Sequence, residues 1–200
     1  MKTALLLSGG MDSLSIAYWK RPDVAITIDY GQKAAEAEKQ ASAVICREIG
    51  IEHNIIYADC SSLGSGDMAH AEPDPSAPAS DWWPYRNQLL ISLAAMRAIK
   101  ARVKVLYIGT VRSDEGHRDG TAHFVGLMDA LVSYQEWGMR VEAPAIGMTT
   151  VELIRVSRIP PEMLAWAHSC HKSDLPCGAC RGCNKYIETY EEVGDDLENV

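Results

Sequence analysis

The chain has 200 residues, a formal net charge of −8 and 47% hydrophobic residues. That length suits one α/β domain with a well-buried core, and the acidic balance argues against a nucleic-acid partner, which calls for a basic excess. Ala4–Leu7 is too short for the apolar core of a signal peptide, and no apolar run nears the ~18 residues of a membrane span, so a soluble cytoplasmic protein is predicted.

Thr3–Leu7 reads as a buried strand running into Ser8-Gly9-Gly10. A helix is predicted from Asp12 or Ser13 to Lys20, ended by Arg21-Pro22. Asp23–Ile28 predicts a second strand. Ala34–Ile49 predicts a helix with Ala37, Ala41, Val44, Ile45 and Ile49 on one face and Gly50 just past its end. Glu52–Tyr57 reads as a third strand. Asp59–Pro84, rich in Ser, Gly and Pro, holds no regular element and is too long for an ordinary connection. It reads either as a lid or binding loop or as disorder. A helix follows over Arg86–Lys100, with Leu89, Leu90, Leu93, Ala94, Met96 and Ile99 as its apolar set, then a strand over Val103–Ile108. Ala122–Trp137 predicts a helix, Arg140–Ala143 a last strand, and Thr150–Val156 and Pro161–Ala167 two short helices. A cysteine cluster is placed in loops before a final helix over Asn184–Val193, with a frayed acidic tail from Asp195.

Strands alternating with helices imply βαβ units and a mostly parallel, twisted sheet with helices on both faces. Residues 1–150 form the ligand-binding α/β part and 151–200 a small helical, cysteine-bearing appendage, together one compact unit. Ligands of such sheets bind beyond the carboxyl ends of the strands. Ser8–Ser13, Asp29–Gln32 and Gly109–Arg118 each follow a predicted strand.

Ser8-Gly9-Gly10-Met11-Asp12-Ser13 joins a strand to a helix start. Glycines let the backbone approach an anion, and N–H groups at a helix N-terminus face it. Ser8 and Ser13 add hydroxyl donors. Asp12 would repel phosphate unless it caps the helix or shares a Mg²⁺ with phosphate oxygens. No Gly-Lys-Ser/Thr follows, so this is not a Walker loop.

Four of the six cysteines, Cys170, Cys177, Cys180 and Cys183, are spaced as C-x₆-C-x₂-C-x₂-C, with Gly178 and Gly182 between them. Four thiolates in a compact segment suit a structural, fully coordinated Zn²⁺, with an iron–sulfur cluster as the chemical rival. His168 and His171 are close enough in sequence to substitute as ligands, although four cysteines suffice. Cys46 and Cys60 read as ordinary packed thiols.

The hexapeptide resembles the Ser-Gly-Gly-x-Asp-Ser fingerprint of the PP-loop ATP pyrophosphatases, whose fold is adenine nucleotide alpha hydrolase-like. The resemblance implies cleavage of ATP between its α- and β-phosphates. Asp29-Tyr30-Gly31-Gln32-Lys33, Pro84-Tyr85-Arg86-Asn87 and the cysteine pattern follow in order, and the chain is similar over essentially its full length to the 7-cyano-7-deazaguanine synthase (QueC) family. That resemblance implies an ATP-dependent ligase that adenylates 7-carboxy-7-deazaguanine and reacts it with ammonia to give the nitrile, as a homodimer in queuosine biosynthesis. It places Ser8, Gly9, Gly10, Met11, Asp12 and Ser13 on phosphate and magnesium, and Asp29, Tyr30, Gly31 and Gln32 near the nucleotide. Arg86 and Asn87 would touch ATP or substrate and act with Asp12 in catalysis, and Asp114, Arg118 and Asp119 would bind substrate. The chain departs from the family pattern at Tyr85, which replaces a small residue, and at Thr149 and Thr150, where a Lys is usual nearby. Tyr186 stands where an Arg is usual. These changes keep open a diverged paralogue, for example in a defence operon, that stops at the amide or uses another amine. A tRNA sulfurtransferase using Cys60 is a further alternative.

Overall fold

The computed structural model describes residues 1–197 of the chain. The sheet has five strands: β1 (Thr3–Leu6), β2 (Val24–Asp29), β3 (Glu52–Tyr57), β4 (Val105–Tyr107) and β5 (Arg140–Glu142). All pairings are parallel, in the order β3-β2-β1-β4-β5. The inner strands β1, β2 and β4 are apolar on both faces because both are covered, as parallel sheets require, whereas the edge strands β3 and β5 carry polar, exposed residues. Side chains alternate along β1, so Ala4 faces one cluster and Leu5 the other. The Ala4 face packs with Ile26 and Leu106 beneath α3 (Arg86–Lys100) and α4 (Ala122–Tyr134). The Leu5 face packs with Leu7 and Ala25 beneath α1 (Met11–Lys20), α2 (Ala35–Ile49), α5 (Thr150–Ser157) and α6 (Pro161–Leu164). Each fully buried leucine, such as Leu5 or Leu14, contributes about 1.5–3 kcal/mol. The last helix, α7 (Arg181–Leu197), reaches this face through Tyr186, Tyr190 and Val193.

Several predicted boundaries move. α1 begins at Met11 with Gly10 as its N-cap, so neither Asp12 nor Ser13 caps it. The α3 stripe that reaches the core is Ile91, Ala94 and Ala98, whereas Met96 and Ile99 point to solvent. α4 stops at Tyr134, and a turn with Trp137 at φ +70° leads into β5. β4 loses Val103 and Lys104 at its start, and α6 is a single turn. α7 starts at Arg181 rather than Asn184, which places Cys183 in its first turn. The reason is the side chain of Cys180, whose Sγ accepts the Cys183 N–H at 3.4 Å as a Ser or Asp cap would.

The long segment 59–84 holds two single 3₁₀ turns, Ser61–Leu63 and Gly66–Met68. Met68, Ala69 and Trp83 are buried in the core, and Trp83 meets Tyr30 edge-on at 4.8 Å. It is a packed wall. No described helix is long and apolar enough to cross a membrane.

Candidate active site

β1 is central, with β2 on one side and β4 on the other, so the chain reverses direction across the sheet beside it. A cleft of about 500 Å³ opens at that point, beyond the carboxyl ends of these strands. Ser8 follows β1, Tyr30 follows β2 and Gly109 follows β4, and all line or border this space.

The loop from Ser8 to Ser13 is held tightly. Gly9 has φ +79°, and a Cβ there would come within 2.7 Å of the Glu38 carbonyl oxygen, so α2 packs against bare backbone. Ser8 Oγ donates to Ser13 Oγ at 3.2 Å, and Ser13 Oγ donates to the Gly10 carbonyl at 3.0 Å. The cysteine-rich segment docks on the same loop, with the His168 N–H donating to the Gly9 carbonyl at 2.9 Å.

Asp12 lies in the first turn of α1. Its Oδ2 accepts from Lys185 Nζ at 2.9 Å, while Oδ1 is buried without a hydrogen-bond partner. Burial pushes the Asp12 carboxyl up from its ordinary value, with the Lys185 ammonium opposing. Lys185 also stands 3.6 Å from Asp114 Oδ1. Burial alone would depress its pKa, but Asp12 and Asp114 together hold it above the ordinary lysine value. Oxygen ligands around an unsatisfied carboxylate oxygen are the donor set that a hard divalent cation takes, so the residues fit a magnesium ion. The Thr150 hydroxyl, also buried, lies beside Asp12 and pulls its carboxyl down against the effect of burial.

The opposite wall is Arg86 and Asn87 at the start of α3. Tyr85 precedes them at φ +55°, a left-handed backbone that favours glycine, and the residue is 78% exposed. Asn87 donates through Nδ2 to the Asp119 carbonyl at 2.8 Å and through its N–H to Asp119 Oδ2 at 3.2 Å. Arg86 donates through Nη1 to Met68 Sδ at 2.6 Å and feels the charges of Asp119, Asp81 and Glu38 beside Tyr30. Glu38, also in the wall, accepts from Gln32 Nε2 at 2.7 Å. Desolvation raises its carboxyl to about 7, against the pull of Gln32 and Arg86.

Of the sequence-predicted site residues, Ser8, Gly10, Met11, Asp12, Ser13, Tyr30, Arg86, Asn87, Asp114 and Asp119 are brought together on the cleft. Asp29, Gly31 and Gln32 are not. Asp29 pairs with Lys39 at 2.8 Å, and Gln32 Oε1 accepts the Tyr30 N–H at 2.9 Å, so these residues shape the turn that presents Tyr30. Gly9 supports the loop from behind, and Arg118 is exposed outside the cleft. Cys60 packs against the core instead of facing the cleft. Sequence reasoning missed Glu38, Lys185 and a cluster at the cleft's edge. There buried Asp81 pairs with Arg181 at 2.9 Å and lies 3.8 Å from His117 and 3.5 Å from His171. Burial would raise the Asp81 carboxyl, but His171, Arg181 and His117 together hold it below its ordinary value. No local motif marks these residues; only the folding of three distant segments brings them together.

Cys170, Cys177, Cys180 and Cys183 place their sulfurs within 4.8 Å of one another, and two pairs lie 3.9 and 4.0 Å apart. The N–H groups of His171 and Lys172 donate to Cys180 and Cys170 at 3.4 Å. Backbone N–H groups of Ala179 and Cys180 hold the Cys177 thiol down at about 6. Such a set can hold a metal ion. Gly182 closes the unit, because a Cβ there would fall 1.7 Å from the Ser169 carbonyl oxygen.

Comparison with known proteins agrees with this architecture. The 7-cyano-7-deazaguanine synthase of Methanosarcina barkeri is 29% identical over 221 aligned positions, covering 97% of this chain and 95% of that protein. That of Porphyromonas gingivalis is 28% identical, covering 95% and 92%. Among solved structures, the U34-tRNA thiolase NcsA from Methanococcus maripaludis with its [4Fe-4S] cluster superposes with a TM-score of 0.54 at 20% identity, over 100% of this chain and 66% of that one. At that identity the likeness concerns the fold alone. The family model described as queuosine biosynthesis protein QueC matches residues 2–194, and the chain therefore belongs to the QueC family.

Proposed function

We propose that this protein is an ATP-dependent carbon–nitrogen ligase that converts 7-carboxy-7-deazaguanine and ammonia to 7-cyano-7-deazaguanine. The observation that carries the reading is the cleft at the strand switch point, where a glycine-rich loop, a helix N-terminus and the unsatisfied Asp12 oxygen converge. The relatives' printed name supports the substrate. A carboxylate is a poor electrophile until one oxygen becomes part of a good leaving group. In the first half-reaction the substrate carboxylate attacks the α-phosphorus, the bond to the β-phosphate oxygen breaks and pyrophosphate leaves. Ammonia then attacks the carboxyl carbon, AMP leaves and an amide remains. In the second, the amide oxygen takes an adenylyl group from another ATP, and loss of AMP and two protons leaves the nitrile.

The chain's own groups position and neutralise. Ser8, Ser13 and the α1 N-terminus receive phosphate oxygens. Magnesium held at Asp12, with Asp114 nearby, would supply charge neutralisation of the polyphosphate. Arg86 and Asn87 orient the reacting carboxylate, and Glu38, with its carboxyl at about 7, is suited to take the proton that the attacking amine sheds. For the cysteines, one tetrahedral zinc with ligands at ~2.3 Å spaces its sulfurs by ~3.8 Å, close to the observed 3.9 and 4.0 Å. A four-iron cluster with one cysteine on each iron needs its sulfurs spread wider, so zinc is the better fit.

Exposed Tyr85 beside Arg86, together with Thr149 and Thr150 in place of a lysine, favours a second reading. In it the activated carboxylate is handed to an amine other than ammonia, or the reaction stops at the amide. Incubation with Mg-ATP, 7-carboxy-7-deazaguanine and ammonium, followed by mass spectrometry, separates the readings. Nitrile with AMP supports the first, amide or adenylate without nitrile supports the second, and no base-dependent AMP removes both.

A further inference from the structure

Among the described residues lining the cleft, Arg86, Arg181 and Lys185 carry permanent positive charge, against Asp12, Glu38, Asp81, Asp114, Asp119 and Glu188. A polyphosphate entering this acidic space needs a cation at the loop. Arg181 is engaged by Asp81 at the cleft's edge, and Arg86 lies on the opposite wall against Tyr30 and Asp119. Lys185 is the cation that stands at the loop itself, paired with Asp12 at 2.9 Å and 3.6 Å from Asp114.

Its placement is built. Lys185 sits two residues after Cys183 in the first turns of α7, whose start is fixed by the Cys180 cap and by the Gly182 contact with Ser169. The same segment is tied to the loop through His168 and Gly9. The N-terminal residues Arg181 and Gly182 also border the cleft, so the positive end of the α7 dipole adds to the field there. Asp12 keeps a second, buried oxygen that Lys185 does not engage.

We propose that Lys185 is a phosphate-binding residue, so that the four-cysteine segment serves the reaction by delivering a cation to the loop as well as by stapling the fold. The proposal rests on the ATP-dependent reading above.

The test is isothermal titration of the metal-loaded full chain with magnesium and α,β-methylene-ATP, using wild type, Lys185→Gln and Lys185→Arg. Lys185→Gln keeps a hydrogen bond to Asp12 but no charge. It is expected to weaken binding by about tenfold to a hundredfold, to keep its metal content and melting temperature, and to show a shallower dependence on ionic strength. Lys185→Arg is expected to recover most of the affinity. Binding by Lys185→Gln as tight as wild type, or a loss that Lys185→Arg does not recover and that tracks a lowered melting temperature, overturns the proposal alone. A wild type that binds no nucleotide overturns the ATP-dependent reading and this proposal with it.

Discussion

Asp12 uses its two oxygens differently: Oδ2 fixes Lys185, and Oδ1 is buried without a hydrogen-bond partner. Asp12→Ala is expected to lower substrate-dependent pyrophosphate release by about 10²–10³-fold, the usual cost of losing one preorganised charge contact; wild-type rates in the variant would remove Asp12 from the chemistry. Glu38 gives a pH signature. Its folded pKa of about 7 lies above the ordinary 4.5, so the folded chain holds a proton that the unfolded chain releases. The stability this contributes is full below pH 4.5 and is lost as pH rises through 7. Glu38→Gln stays neutral, so its melting temperature should match wild type at the acid end and exceed it by several degrees above pH 7, at about 2–4 °C per kcal/mol for a chain of this size. A constant offset at every pH would assign Glu38 a purely packing role. The glycines and serines of the loop were legible in the sequence because each has a local reason to be there. Glu38 and Lys185 were not, because their partners are contributed by other segments: Lys185 meets an aspartate 173 residues away.

The elements whose ends are set locally came out of the sequence well. β3 and α3 lie where the sequence predicts them, and Gly50 adopts φ +71° at the end of α2. Thr149 and Glu152 form a reciprocal capping box at α5, with the Glu152 N–H donating to Thr149 Oγ1 at 3.1 Å and the Thr149 N–H donating to Glu152 Oε2 at 2.7 Å. Thr149→Ala should therefore destabilise the protein by about 1 kcal/mol. Chemical denaturation would show this as a lower midpoint with unchanged slope. Where ends depend on packing, sequence failed. The α3 face turned toward Ile91, Ala94 and Ala98 because α4 and the sheet accept a smooth alanine stripe there, leaving the larger Met96 outside. The start of α7 was misplaced because a cysteine sulfur supplied the cap.

Across the whole molecule, the cysteine segment, the long wall segment and the phosphate loop are fastened together. Lys172 pairs with Asp67 at 3.3 Å, Arg181 with Asp81, and His168 with Gly9. Removing the metal with a strong chelator is thus expected to lower the melting temperature by more than the ~2–4 °C of a 1 kcal/mol lesion and to weaken nucleotide binding in parallel. Loss of stability with unchanged nucleotide affinity would uncouple the two sites. What the sequence by itself determined is the alternation of strands and helices, the glycine-rich turn after the first strand and the four-cysteine set, since periodicity, backbone freedom and ligand spacing are properties of short stretches. What only the tertiary structure decided is which charges face one another across the cleft. Asp12 with Lys185 and Asp81 with Arg181 are pairings between distant segments, and the charge of Arg86 acts on Glu38 from another helix. They follow from how α2, α3 and α7 pack around the ends of the strands, and a carboxylate's chemistry is set by the charges and burial it meets there.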